Sequence, residues 1–423
     1  MSSNFSLPTQ FEINAIKIDG EDVIGLFQSI SIFENIYSPV ITGSIVLMDS
    51  DFADFIQQYE IEGNEEIEFE FTNALDEILE FKGILNGLRN KASKNQRTLY
   101  TFDFTSDQVR INEGIFITNK FDSKSPEEIV KDMIKQLEGK EDKIQGKGKP
   151  MAFIGSRRRP TKVIEHVLTH GVAEGKSKPS STEKGKSREE ETKGTTGFLC
   201  WQTLDGYRFS SIDEVLEGTA GEDAGTKTHQ VQNKSLDMQT VMESIIDYDF
   251  KMIGDTQTKQ RSGAFKNTVV SMDLDKGLYK EYTYEDEKNL TEKQKKINKS
   301  STRIMVRPYM NEHFEDSCTI ASKDTWDQSR QFLAQNQVRQ NTFADQFGNF
   351  VFPPRFEVRA GDVFEAKIPK VQSEGEAGYN EKHSGRYVIS QVGHHMLSDG
   401  RAYTKVQTIR STIQQDDTTS EKS

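Results

Sequence analysis

FEVRAGDVFEAKIPKV (Phe356–Val371) and GRYVISQVGHHMLSDGRAYTKVQTIR (Gly385–Arg410), separated by a polar insert, decide how the chain is read. Val363–Ile368, Tyr387–His394 and Tyr403–Ile409 carry apolar or aromatic residues at roughly every second place, the period of a half-buried strand. Asp399-Gly400 marks a hairpin between the last two, and Arg359-Ala360-Gly361-Asp362 a second turn feeding the strand that begins at Val363. The chain thus closes in an antiparallel meander with no sign of a catalytic loop.

The same period governs the N-terminal quarter. Strands are predicted over Phe11–Ile18, Val23–Phe33, Ile41–Met48, Glu65–Phe71, Ile78–Leu88 and Leu99–Thr105, with a short helical piece at Asp51–Gln58. EIEFEF (Glu65–Phe71 region) puts its acids on one face and its apolar residues on the other. Such a set predicts a small antiparallel barrel or sandwich.

The period then changes. SKSPEEIVKDMIKQL (Ser123–Leu137) offers Ser125 as N-cap, Pro126 at the first helical position and Glu127-Glu128 at the positive end of the dipole. A second helix is predicted over Pro160–Gly171, and a hairpin over Phe198–Gln202 and Gly206–Ser210. Between them lies a polar tract, 175–197, too poor in apolar residues to pack. Later expectations are a short helix or turn at Met238–Met242, strands at Ile245–Met252, Asn267–Leu274, Ile304–Pro308 and Phe347–Pro353, a charged segment at Thr283–Ser301, and a long helix at Trp326–Phe343.

These elements predict a mainly β, α+β chain with two similar small antiparallel β-barrels. The first spans 1–118. A middle α+β domain covers 119–226. The second barrel takes 227–265 and 318–412 around an inserted segment, 266–317, and 413–423 form a disordered tail. Two β segments raise the possibility of an internal duplication, but their residues do not align.

Composition narrows the function. The chain has 423 residues, 34% hydrophobic, with a net charge of −13. An acidic chain disfavours free nucleic acid and anionic membrane as default partners. Two cysteines, Cys200 and Cys318, make neither a disulfide framework nor a cysteine-ligated zinc site. No apolar run approaches the roughly 20 residues of a membrane helix, and MSSNFSLPTQ has no signal-peptide pattern.

Candidate chemistry is sparse. His394 and His395 are adjacent on a strand and point to opposite faces, which predicts one packed ring and one solvated ring. His166 and His170 have the i, i+4 spacing of zinc pairs, but Val167 stands where a metalloprotease motif has Glu; a solvated helix face is the expectation. Arg157-Arg158-Arg159, without interleaved aromatics, predicts a protein contact. There is no P-loop or nucleophile elbow, and no cofactor, metal site or enzymatic activity is expected.

The order of elements resembles the central hub protein of the baseplate of T-even-like contractile-tailed phages, and the related hub part of VgrG-type spike proteins. The closing segment carries most of the likeness, in Gly361, Tyr387, Ile389, Val392, His394, Tyr403 and Thr404. SPEEIVKDMIKQL, PTKVIEHVLTHG, FLCWQTLDGYRFSS and WDQSRQFLAQNQV follow the family's order. The long polar tract and the short closing tail depart from it. The resemblance implies a homotrimer whose two barrels per chain build a pseudo-sixfold ring, joining a tail tube to a central spike around a DNA channel. Implied partners are the spike, the tube protein, baseplate wedge proteins and a tape-measure protein, with DNA as passing cargo. The implied place is the virion tail baseplate, assembled in the host cytoplasm. The alternatives are a glycan-binding or glycan-degrading tail component and a secretion-system spike. A VgrG-type chain needs a β-helix after the hub, and this chain ends after the closing pattern.

Overall fold

The computed structural model describes residues 7–50, 55–94, 97–173, 195–218, 228–230, 238–252, 256–263, 265–273, 278–285, 303–309, 333–340, 346–369, 379–380 and 383–410. Outside the described residues lie most of the 175–197 tract, the 413–423 tail, residues 51–54 of the short helical piece, 286–301 of the charged segment, and 326–332 and 341–343 of the long predicted helix.

The chain is mainly β, and one 13-stranded sheet dominates it. Along this sheet run Asp247–Met252, Gln346–Phe352, Ala402–Arg410, Gly385–Leu397, Phe27–Asn35, Thr42–Asp49, Arg97–Thr105, Ile78–Lys94, Glu66–Asn73, Phe11–Ile18 and Glu21–Asp22. Val363–Lys367 branches off Gly385–Leu397, and Thr228–Gln230 pairs in parallel with it.

This order contains a repeat. In the N-terminal half, strand 27–35 pairs with 42–49, then 97–105, then 78–94, then 66–73. In the C-terminal half, 247–252 pairs with 346–352, then 402–410, then 385–397, then 363–367. All eight pairings are antiparallel.

The match extends to single residues. The long strand of each half bulges in the same place, between Leu85 and Gly87 and between Ile389 and Gln391; the first-half strand bulges again between Leu88 and Asn90. Leu85 exchanges backbone bonds with Asn64 and Glu65 (3.0 and 2.9 Å); Ile389 does the same with Gly361 and Asp362 (2.8 and 2.9 Å). Asn64 and Gly361 both hold positive φ, at 79° and 91°. Gly43 and Gly348 stand at equivalent places in their strands.

Side-chain alternation explains the main core. Ile67, Phe69 and Phe71 are buried while Glu66, Glu68 and Glu70 face away. Phe69, Phe81 and Phe104 stack in one cluster, which also takes in Phe356, Met396 and Ala402 from the far end of the chain. A second cluster gathers Phe350, Phe364, Tyr387 and Val392 with Ile36, Leu199 and Trp201. The two halves therefore share residues and cannot pack independently.

Between them sit the helices Pro126–Gln136 and Pro160–His170 and the hairpin Phe198–Thr203/Gly206–Ser211, around a third core. The first helix has the predicted Ser125 cap, completed into a capping box by Glu128. Lys266–Asp273, Leu278–Glu285 and Arg303–Tyr309 form a separate three-stranded sheet. Residues 333–340 are helical; Ala334 and Val338 pack on Val269 and Tyr284.

Several boundaries differ from expectation. The strand predicted from Val23 begins at Phe27, because Asp22 accepts from the Ile24 amide (2.8 Å) and closes a 3-10 turn over Ile24–Leu26. The strand from Ile78 runs on to Lys94. The helices Gln108–Gly114 and Ile212–Glu217 and the strands Lys120–Lys124, Glu141–Ile144 and Met151–Ile154 are additional elements, most too short to show a period.

Candidate functional site

Of the closing pattern, Val392 and His394 lie in the ladder where the two halves meet, with Thr404 and Tyr403 on the adjacent strand; Gly361, Tyr387 and Ile389 lie within the second half. Strand Gly385–Leu397 pairs antiparallel with Phe27–Asn35 from Gln391↔Asn35 to Leu397↔Ser29, and this ladder is the joint between the halves. Ile389 and Val392 are buried in the second core, and the Tyr387 hydroxyl donates to the His383 carbonyl (2.8 Å). His394 and Thr404, both fully buried, face each other across the sheet at 3.2 Å. Thr404 also accepts from the Arg355 amide (2.9 Å). Tyr403 is half-exposed on the opposite face, paired with His395.

The two histidines do part to opposite faces, but His395 is not simply solvated. It is half-buried in the joint, its Nδ1 is 2.8 Å from Ser31 Oγ, and it meets Phe33 edge-on. Burial lowers His394 to about 3 and His395 to about 4, so both rings are neutral at pH 7. The other motifs also resolve into packing. His166 and His170 are half-buried and stacked, with ring centroids 4.1 Å apart, and His166 lies on Phe153. Among the described residues no cluster of His, Cys, Asp and Glu is poised for a metal. Arg157 and Arg159 sit over Phe116, and Arg159 pairs with Glu113.

Beside the joint is a buried charged network that the sequence reading missed. Glu34, fully buried at the end of its strand, accepts from the Leu204 and Ala360 amides (2.8 Å each). Arg359 binds Asp205 in bidentate fashion (2.8 and 3.0 Å) and lies 3.8 Å from Glu34. Arg208, 1% exposed, bridges Asp142 (2.5 Å) and Asp362 (2.8 Å). Trp201 Nε1 and Arg208 both donate to the Ala360 carbonyl. Burial pushes the carboxyls of Glu34 and Asp362 upward, while Arg359 and Arg208 respectively pull them back.

This network ties three parts of the chain at one point. The hairpin holds the second half through the Ala360 carbonyl. It holds the first half through Gln202, whose Oε1 accepts from Ser106 Oγ (2.6 Å) and whose backbone N–H donates to the Ser38 carbonyl (3.3 Å). Gly361 is required at the turn: its φ is +91°, and a Cβ there would lie 2.5 Å from the Trp201 ring. Arg359 and Asp362 flank this Gly in the sequence, a signal that the turn is charged; nothing in the sequence marks Glu34 as their partner. The arrangement is one of buried, mutually satisfied pairs, suited to fixing orientation and offering no open nucleophile.

No protein-family model and no curated protein matches the chain. Solved structures do. A tail protein from Neisseria meningitidis MC58 superposes with TM-score 0.52 at 9% identity, over 95% of this chain and 97% of that one. The 43 kDa tail protein of prophage MuSo2 from Shewanella oneidensis gives TM-score 0.52 at 9% identity, over 94% and 98%. The chain therefore has a fold found in tail proteins, along almost its whole described length and theirs.

Proposed function

We propose that the chain is a structural hub of a contractile phage tail, in the virion baseplate, and that it is not an enzyme. Its two halves act as two similar barrels. Three chains close a pseudo-sixfold ring that joins the tail tube to the central spike and encloses the DNA channel. Wedge and tape-measure proteins are further contacts, and assembly takes place in the host cytoplasm. The observation that carries this reading is the repeated strand order with a joint between unlike edges. A joint of that kind is heterologous, and a heterologous joint repeated with a closing rotation builds a ring. The tail-protein fold supports it.

Glu66, Glu68 and Glu70 face away from the core on one strand. In the ring they line the channel, where like charge keeps DNA from adhering. Native mass measurement tests the hub reading: a trimer is expected, alone or with a co-expressed spike protein. A monodisperse monomer that ignores tube and spike proteins overturns it.

A further inference from the structure

The joint inside the chain implies a second joint outside it. Within the chain, the long strand of the second half pairs with the first strand of the first half. The repeat supplies an equivalent long strand in the first half and an equivalent first strand in the second. Both have a free edge among the described residues. Strand Ile78–Lys94 pairs with Glu66–Asn73 only up to Ile84, so beyond the bulge its one partner is Arg97–Thr105. Strand Asp247–Met252 pairs with Gln346–Phe352 alone.

We propose that residues 87–94 of one copy pair antiparallel with Asp247–Met252 of a second copy, repeating the internal joint; this rests on the ring reading above. The register follows from the ladders. His395 faces Tyr403 as Ala92 faces Leu99, and Ser31 faces Ser44 as Asp249 faces Asn349. The internal pair His395↔Ser31 therefore becomes Ala92↔Asp249 between copies, and His394↔Ile32 becomes Lys91↔Phe250.

Two independent features mark these edges as an interface. Leu88 and Leu99 are 42% and 40% exposed on one side, and Ile246 is 48% exposed on the other. Exposed apolar groups beside an open strand edge are a pairing surface. Their charges are also complementary. Residues 87–98 contain no acid and four bases, of which Arg89 already pairs with Asp103 and Lys94 stands opposite Asp247 in this register, whereas the facing strand exposes Asp247 and Asp249 and carries one base, Lys251. Opposite charges across a ladder stabilise it, and like charges in the same position repel.

Paired cysteines test the register. In a Cys200→Ala/Cys318→Ser background, the double variant Ala92→Cys/Asp249→Cys, oxidised, is expected to run on a denaturing non-reducing gel as linked chains ending at three. Either single variant should stay at one chain. Ser31→Cys/His395→Cys is the control, giving a disulfide inside one chain because those side chains already touch at 2.8 Å. A native trimer that does not link overturns this joint and leaves the ring standing. A monomer by native mass overturns both. Linking in a single variant shows a symmetric contact and overturns the head-to-tail joint.

Discussion

Leu88 and Val392 stand at equivalent places in the two halves of the sheet: each is the second residue past the shared bulge, facing Phe102 and Val406. Val392 is fully buried, and Leu88 is 42% exposed. The difference comes from the neighbour. Phe27–Asn35 lies along the edge beside Val392, and among the described residues no strand lies along the edge beside Leu88. The turns diverge in the same way. Glu65 serves its own loop, accepting from the Glu62 and Gly63 amides (2.6 and 2.7 Å). Asp362, at the equivalent place, reaches out of its loop to Arg208. The halves thus share a backbone and differ in what covers it. A repeated backbone can be conserved in register while its side chains are recruited for different contacts.

The largest expected effect breaks this pair directly. Val392→Asp buries a charge with no partner and should destabilise the fold by about 3–5 kcal/mol, read as a loss of denaturation midpoint. Leu88→Asp should leave the denaturation midpoint of the monomer nearly unchanged and weaken assembly. Equal destabilisation by the two would mean that the edge beside Leu88 is already covered.

The turns provide the second contrast. Asp362→Asn leaves Arg208 short of a buried counter-charge and should cost about 3 kcal/mol. Glu65→Gln removes charge from amide bonds that stay within a loop and should cost about 1 kcal/mol. Urea denaturation of the two variants checks the order.

The last contrast is a pH dependence, smallest near pH 7, to which His394 of the second half contributes. His394 is lowered to about 3 by burial, and its equivalent in the first half is the exposed Lys91. The sign follows from linkage. Below pH 6.5 the unfolded chain takes up a proton that folded His394 refuses until about pH 3, so stability falls as pH falls through that window. The slope from one such group is at most about 1.4 kcal/mol per pH unit. His395 and His166 act in the same direction. Glu34 and Asp362, raised by burial, act in the opposite one. His394→Gln should flatten the acid limb of a stability profile relative to the native chain. An unchanged limb would show that His394 contributes nothing to it.

Much of the local structure was legible because it rests on short-range chemistry. EIEFEF alternates, so its phenylalanines face a core; Ser125, Pro126 and Glu128 set a helix start; Asp399-Gly400 turns a hairpin. In the closing strands, Val392, His394 and Thr404 are buried while Gln391, His395, Tyr403 and Lys405 are less so, whereas Tyr387–Ser390 are buried without a break. The repeated strand order could not be read, because equivalent positions hold Val392 and Leu88, His394 and Lys91, Gly361 and Asn64. What repeats is a bulge, two backbone bonds and a positive φ, none of which needs a particular residue type beyond tolerance of the left-handed region. Tertiary structure alone decided that Glu34 meets the Ala360 amide, 326 residues away, and that one strand serves as the wall between two halves. Periodicity specifies which face of a strand is buried, and backbone hydrogen bonds across the sheet specify which strand buries it.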